Sequence, residues 1–275
     1  MRPFRFAWLL LVSARPRQWI KNTVVFAALV FTHQLTDAEL VRQAAIAFAL
    51  FCAGSSAVYL TNDWSDRERD RLHPAKRTRP IASGALAPAP TLVAAFLLAA
   101  GALAAGRALL GAPFTAVLGG FLALNLAYTA LLKRWAFVDV LAIALGFMLR
   151  ALAGAVAIGV PASSWLVVLT LFLALFLALN KRKAEILTLG ELAAAHRGVL
   201  AAYAPPLVDQ LIGVTAASVI QVYALYTFQS VQPERLVWSI PFVLYGIFRY
   251  LYLVAQRGAG TNVEDALLAD PPLLV

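Results

Sequence analysis

Apolar residues in this chain fall in unbroken runs of span length, separated by short charged or turn-forming stretches. Eight runs are long enough to cross a bilayer: 20–36, 41–61, 88–109, 113–132, 137–159, 163–180, 207–230 and 236–256. They are continuous and rich in Leu and Ala, without two-residue alternation, so they predict helices and not barrel strands. The expected fold class is an all-α integral membrane protein with eight transmembrane helices. Residues 1–275 are expected to form one membrane-embedded domain, with an interfacial segment at 1–17 and cytoplasmic loops at 62–87, 133–136 and 181–206.

Composition agrees: 61% of the 275 residues are hydrophobic and only 13% are charged. The single cysteine, Cys52, excludes an intramolecular disulfide and a thiolate metal cage. Near the N-terminus, Phe6–Ala14 follows Arg2 and Arg5 in the manner of a signal peptide, but Arg15, Arg17 and Lys21 come at once and a full span follows. An uncleaved helix lying in the interface is expected, with Trp8 and Trp19 at headgroup level. Lys and Arg concentrate in the N-terminal arm, in 63–84, at Lys133-Arg134 and at Lys181-Arg182-Lys183 with Arg197; the alternate loops hold only Arg42, Arg107 and Arg235. The positive-inside rule then puts the N-terminus and the charged loops in the cytoplasm. The net charge of +9 is mostly this topology signal. It suits anionic lipid or phosphorylated substrates, and nothing in it forms a nucleic-acid-binding module.

One stretch breaks the apolar pattern more than any other. Between Asn62 and Gly84 stand four acids and six Lys/Arg. Charges cost roughly 2.5–3.5 kcal/mol each in lipid on insertion scales, so this cluster belongs at the surface or in a wet cavity. On a helix, Asn62, Asp66 and Asp70 share a face with Asp63 beside them, an oxygen-rich set suited to Mg²⁺ held together with substrate phosphates. The plainer reading is a salt-bridged, solvated helix end. Lys76-Arg77-Thr78-Arg79 lies between Pro74 and Pro80, so it reads as a rigid loop. It either grips a phosphate or simply follows the positive-inside bias. Asn125 and Tyr128 share a helix face running into Lys133. Lys181 and Glu185 are four apart and either pair or serve a ligand. Arg150 lies eleven residues past Asp139, about 16 Å along the same helix face, with Gly146 and Gly154 near that stripe to allow close helix approach. An intramembrane Arg marks a functional site by default. Arg249 sits in a Tyr245/Arg249/Tyr252 stripe and either binds substrate or snorkels to the interface.

The Asn62-Asp63-x-x-Asp66-x-x-x-Asp70 run closing the second span resembles the UbiA superfamily of intramembrane prenyltransferases. Four further stretches resemble its decaprenyl-phosphate phosphoribosyltransferase branch: His73-Pro74-x-Lys76-Arg77-x-Arg79-Pro80-Ile81-Ala82-x-Gly84, Arg15-Pro-Arg-Gln-Trp-x-Lys21-Asn22, Gly146-Phe-x-Leu-Arg150-Ala and Tyr245-Gly-x-Phe-Arg249-Tyr-Leu-Tyr-Leu. The resemblance runs from about Arg15 to Pro272. Aromatic prenyltransferases of the superfamily carry a second aspartate-rich motif after the sixth span, whereas this chain reads Asn180-Lys181-Arg182-Lys183-Ala184-Glu185 there. One acidic and one basic pole suit two phosphorylated substrates.

The resemblance implies Mg²⁺ (or Mn²⁺) on Asn62, Asp63, Asp66 and Asp70, with Asp63, Asp66, Asp70 and Arg150 as the catalytic set. It implies phosphoribosyl diphosphate as donor, contacted by Lys21, Lys76, Arg77, Arg79, Tyr128, Lys133, Lys181, Arg182 and Glu185. A polyprenyl phosphate would be acceptor, its phosphate near Arg17, Asn22, Asn125 and Arg249. A homo-oligomer is compatible with it. In that family a ninth span follows the Pro271-Pro272 region, so its absence predicts a chain cut short. Two other readings remain at this point: an aromatic prenyltransferase of quinone synthesis using a prenyl diphosphate, and a non-catalytic polyprenyl-phosphate carrier.

Overall fold

The computed structural model describes residues 3–72, 76–189, 198–229, 233–257 and 270. His73, Pro74, Arg197 and the Pro271–Val275 segment, all used in the sequence reading, lie outside them. Among the described residues the chain is helical: α1 (Pro3–Ser13), a 3-10 segment (Pro16–Phe26), α2 (Ala27–Phe31), α3 (Ala38–Leu72), α4 (Pro88–Leu109), α5 (Gly111–Ala130), α6 (Val138–Ala157), α7 (Ser164–Leu189), α8 (Pro205–Gln229), α9 (Pro233–Leu236) and α10 (Ile240–Arg257). Prolines sit at the first positions of α4, α8 and α9, where the missing N–H is not needed. Gly111 turns α4 into α5 with a φ of 88°, a conformation that L side chains rarely adopt.

Seven α-helical stretches among the described residues are long and apolar enough to cross a membrane, one fewer than expected. The difference lies at 20–36. Lys21, Asn22 and Thr23 interrupt its apolar character, and the backbone winds as a 3-10 helix followed by the five-residue α2. The Asn62–Leu72 and 181–189 stretches, expected as loops, continue α3 and α7 as helix.

The contacts divide into two compact units, one of 1–130 with 149–162 and one of 131–148 with 163–275; α6 contributes a half to each. In the first unit Val25, Ala47, Phe51, Phe114, Leu118, Phe121 and Ala153 form the core. Phe51 meets the Phe114 ring edge-on at 6.0 Å and the Phe121 ring at 5.2 Å. Small residues let this unit close up: a Cβ on Gly154 would lie 1.8 Å from the Val25 carbonyl oxygen, so α6 touches the 3-10 backbone directly. In the second unit Phe176, Leu179, Tyr203, Val208, Ile212, Ile247 and Tyr250 pack together, with Phe176 and Tyr250 rings 5.4 Å apart. Outward-facing Val93, Phe96 and Leu97 on α4, and Phe242 and Phe248 on α10, are exposed, as lipid-facing positions should be.

Candidate functional site

At about 1.5 Å per residue α3 is about 52 Å long, well beyond a hydrocarbon core of about 30 Å. Its apolar first part spans, and its last turns carry Asn62, Asp63, Asp66 and Asp70 past the lipid. Asp63 and Asp70 are 3% and 4% exposed and so depend on protein partners. Arg79 supplies one: its Nη1 lies 3.2 Å from Asp63 Oδ1 and 2.6 Å from Asp70 Oδ2. Arg15 supplies another, donating to the same Asp63 Oδ1 while its guanidinium lies 5.3 Å over the Tyr59 ring. Asp66 is 3.9 Å from Arg69, and Asn62 Oδ1 accepts from Thr129 at 3.4 Å.

The loop that returns Arg79 is not helical, as its prolines predict. Arg79 N–H donates to Lys76 O, Leu86 N–H to Pro80 O, and Arg71 Nε to Ala82 O. Ile81, Ala82 and Leu86 are buried beneath it. The Pro80-Ile81-Ala82 stretch is therefore an apolar anchor, and Arg79 is the residue it aims. Lys76 is half-buried and Arg77 exposed.

Arg15 is aimed by backbone strain. Its φ of 53° and ψ of 63° are left-handed, uncommon for a non-glycine residue, at the junction between α1 and the 3-10 segment. The 3-10 segment follows with three residues per turn, which lines up Trp19, Asn22, Val25 and then Ala28. Trp19 Nε1 donates to Ser56 Oγ at 3.1 Å. Fully buried Asn22 accepts at Oδ1 from Arg150 Nε at 2.8 Å and from Ser55 Oγ at 3.2 Å, and its Nδ2 reaches Cys52 Sγ at 3.4 Å. The Arg150 guanidinium, 7% exposed, lies 4.6 Å over the Phe121 ring. An arginine at this depth is stabilised by that acceptor and that ring face.

The second unit has its own charged cluster. Asp139 is wholly buried: Oδ2 accepts from Arg182 Nε at 2.8 Å and Oδ1 from the Tyr203 hydroxyl. Arg182, 2% exposed, also donates to Glu185 at 2.5 Å. The Tyr203 oxygen in turn accepts the Phe137 N–H at 2.8 Å, and their rings meet at 5.2 Å. Phe137 has a φ of 66°, so this pair holds a strained turn just before α6. Burial, and then the hydrogen bond to Asp139, push the Tyr203 hydroxyl above its ordinary range.

Of the residues singled out by sequence, Asp63, Asp70 and Arg79 meet, as do Asn22 and Arg150, and Arg182 and Glu185. Asn125 instead turns back to the Phe121 carbonyl of its own helix, 2.8 Å away. Arg249 holds Asp270 through two nitrogens, at 2.9 and 3.2 Å, and lies over Tyr252. Arg17 and Lys181 are exposed, Lys21, Tyr128 and Lys133 half-buried. Sequence reasoning missed Arg15 as a carboxylate partner and Tyr203 altogether. For neither did a spacing in the sequence point to its acid partner, Asp63 lying 48 residues from Arg15 and Asp139 lying 64 from Tyr203.

Among the described residues no three acidic, His or Cys side chains converge into a metal cage. The donors on α3 are all hard oxygens on one helix end. They fit an ion that keeps waters and takes further ligands from a substrate phosphate, as Mg²⁺ does.

The chain matches the model of the UbiA prenyltransferase family over residues 22–264. It is 36% identical to the decaprenyl-phosphate phosphoribosyltransferase of Corynebacterium glutamicum over 274 residues, covering 96% of this chain and 81% of that one. It is 35% identical to the enzyme of the same name from Mycobacterium tuberculosis, covering 94% and 87%. Its fold is that of a UbiA homologue from Archaeoglobus fulgidus solved with GPP and Mg²⁺, with a TM-score of 0.76 at 17% identity over 95% and 93% of the two chains. The chain is thus an integral, multi-pass membrane protein and belongs to the UbiA prenyltransferase family.

Proposed function

We propose that this protein transfers the 5-phosphoribosyl group of phosphoribosyl diphosphate to the phosphate of a decaprenyl-type lipid, releasing pyrophosphate at the cytoplasmic face of the membrane. The observation that carries this reading is the α3 acid face interlocked with Arg15 and Arg79. It occurs in a chain 36% identical, over 96% of its own length, to an enzyme named for that reaction. In the reaction the bond from the anomeric carbon to the diphosphate oxygen breaks, and its electron pair leaves with pyrophosphate. A new bond forms from that carbon to a lipid phosphate oxygen. The nucleophile is already an anion, so no strong general base is needed.

Asn62, Asp63, Asp66 and Asp70 would hold Mg²⁺, which when bound supplies Lewis-acid stabilisation of the leaving diphosphate. Lys76, Arg77 and Arg79 are assigned to the donor phosphates, with Lys21, Tyr128, Lys133 and Lys181 as further phosphate contacts. Such cations cancel the repulsion between two anionic substrates. Asn22 fixes the Arg150 side chain through its Nε, and Arg17 is assigned to the lipid phosphate. Arg182, 2% exposed and held by the wholly buried Asp139, is read as structural with Glu185 as its second partner, whereas Arg249 is assigned to the lipid phosphate. The charged loops and the N-terminus are assigned to the cytoplasm by their Lys and Arg content.

The test is direct. Purified protein in nanodiscs should release labelled pyrophosphate only when phosphoribosyl diphosphate, decaprenyl phosphate and Mg²⁺ are all present, and Asp63→Asn should abolish release. Turnover of a labelled prenyl diphosphate with an aromatic acceptor would instead establish the quinone-type reaction. Lipid binding without pyrophosphate release would establish a carrier.

A further inference from the structure

We propose that Arg15 and Arg79 are exchangeable counter-ions of the acid face: they hold Asp63 and Asp70 until a metal–diphosphate arrives, then move onto its phosphate oxygens. The inference rests on the reading of this face as the site of a metal-bound diphosphate. It concerns the order in which that site accepts its parts, and it makes the site discriminate against bare cations.

Three observations lead here. First, Asp63 Oδ1 accepts from both arginines, and Arg79 Nη1 also bridges to Asp70 Oδ2. A cation ligated through Asp63 or Asp70 therefore competes with guanidinium for the charge of the same two carboxylates. Second, the two carboxylates are nearly fully buried, whereas the side chains of Arg15 and Arg79 are 27% and 26% exposed. The acids are fixed on α3, and each guanidinium lies at the edge of the cluster on a flexible stem. Third, both are arginines. A guanidinium forks onto a phosphate as well as onto a carboxylate, so either can exchange one partner for the other without losing charge pairing.

The consequence is a difference in sign. A bare divalent ion must displace the arginines from the buried acids and leaves them no new acceptor, so it binds weakly. A metal carrying pyrophosphate offers the displaced arginines new acceptors, so it binds well. Removing an arginine should help the first ligand and hurt the second. A unit charge at about 4 Å in an effective dielectric of about 20 interacts strongly enough that each effect should reach about tenfold or more. A purely structural arginine would weaken both.

The experiment uses full-length protein in detergent, with Mn²⁺ binding read by electron paramagnetic resonance and pyrophosphate binding read calorimetrically. For Arg79→Gln, we expect free Mn²⁺ to bind about tenfold tighter and pyrophosphate in the presence of Mn²⁺ to bind at least about tenfold weaker than in wild type. Arg15→Gln should shift both in the same senses but less, since Arg15 engages only Asp63, and it provides the test should Arg79→Gln fail to fold. Arg79→Lys, a point charge without the fork, should leave free Mn²⁺ binding near wild type while weakening pyrophosphate. Loss of both affinities together, or no change in free Mn²⁺ affinity, overturns the exchange. Wild-type protein that binds no Mn²⁺ even with pyrophosphate, with Asp63→Asn identical to it, overturns the metal–diphosphate reading itself.

Discussion

Breaking the buried pair Asp139–Arg182 one partner at a time should be far more damaging than removing both. Arg182→Met leaves a carboxylate with no solvent exposure facing an apolar side chain, with only the Tyr203 hydroxyl still donating to it. Asp139→Leu takes the buried carboxylate from a guanidinium that is 2% exposed, leaving its pairing with the part-exposed Glu185. Removing one partner of a buried pair costs about 3–5 kcal/mol, so the two single changes sum to about 6–10 kcal/mol. In the double variant no buried charge is left unpaired on Asp139. The main loss is the acceptor of the Tyr203 hydroxyl, about 1–3 kcal/mol. The coupling between the sites should therefore be at least about 3 kcal/mol. At roughly 2–4 °C per kcal/mol for a domain of 150–250 residues, either single change should lower Tm by roughly 6–20 °C, and the double change should restore most of it. Thermal unfolding in detergent followed by tryptophan fluorescence measures all four proteins. A double variant as unstable as the sum of the singles would refute the pairing.

Other consequences follow from particular contacts. Because burial and Asp139 raise the Tyr203 hydroxyl above its unfolded value near 10, folded protein keeps that proton after the unfolded chain has lost it. Its stabilisation is complete below about pH 10 and falls by about 1.36 kcal/mol per pH unit above it; Tyr203→Phe should lack that one-proton slope when Tm is followed from pH 8 to 11. Gly154→Ala places a methyl 1.8 Å from the Val25 carbonyl and should abolish stable expression, whereas Gly101→Ala, with no atom within 4 Å, should change Tm by little. Asn22→Ala removes the acceptor of Arg150 Nε and of Ser55 Oγ, and should lower stability by about 3 kcal/mol, measured by chemical denaturation in detergent.

The membrane helices were legible because a 20-residue apolar run has almost no alternative in lipid. The acid face was legible for a similar reason, since spacings of three and four survive on any regular α-helix, and α3 continues through Leu72. What pattern reading missed depends on chain return. Arg79 reaches Asp63 from sixteen residues away through a packed turn, and Arg182 reaches Asp139 across 43 residues. Neither separation leaves a periodic trace. The 20–36 run failed differently. Counting apolar residues hid that its polar residue Asn22 lies inward and its Ile20 and Thr23 outward, a three-residue order where 3.6 was assumed.

That three-residue order sets a tolerance to insertion and deletion. A 3-10 helix rises about 2.0 Å per residue, so Pro16–Phe26 with α2 spans about 30 Å if collinear, a bilayer thickness covered by sixteen residues. Inserting one residue between Pro16 and Asn22 rotates everything beyond it by a third of a turn. Asn22 would leave Arg150, and the Val25 carbonyl would leave the notch at Gly154, in a single step. An insertion of three residues restores the rotation but displaces the line by a full turn, about 6 Å. The segment therefore acts as a gauge whose length is as constrained as its composition. Among relatives, substitutions at the outward positions Ile20 and Thr23 should be common, while changes in the number of residues between Arg15 and Asn22 should be absent.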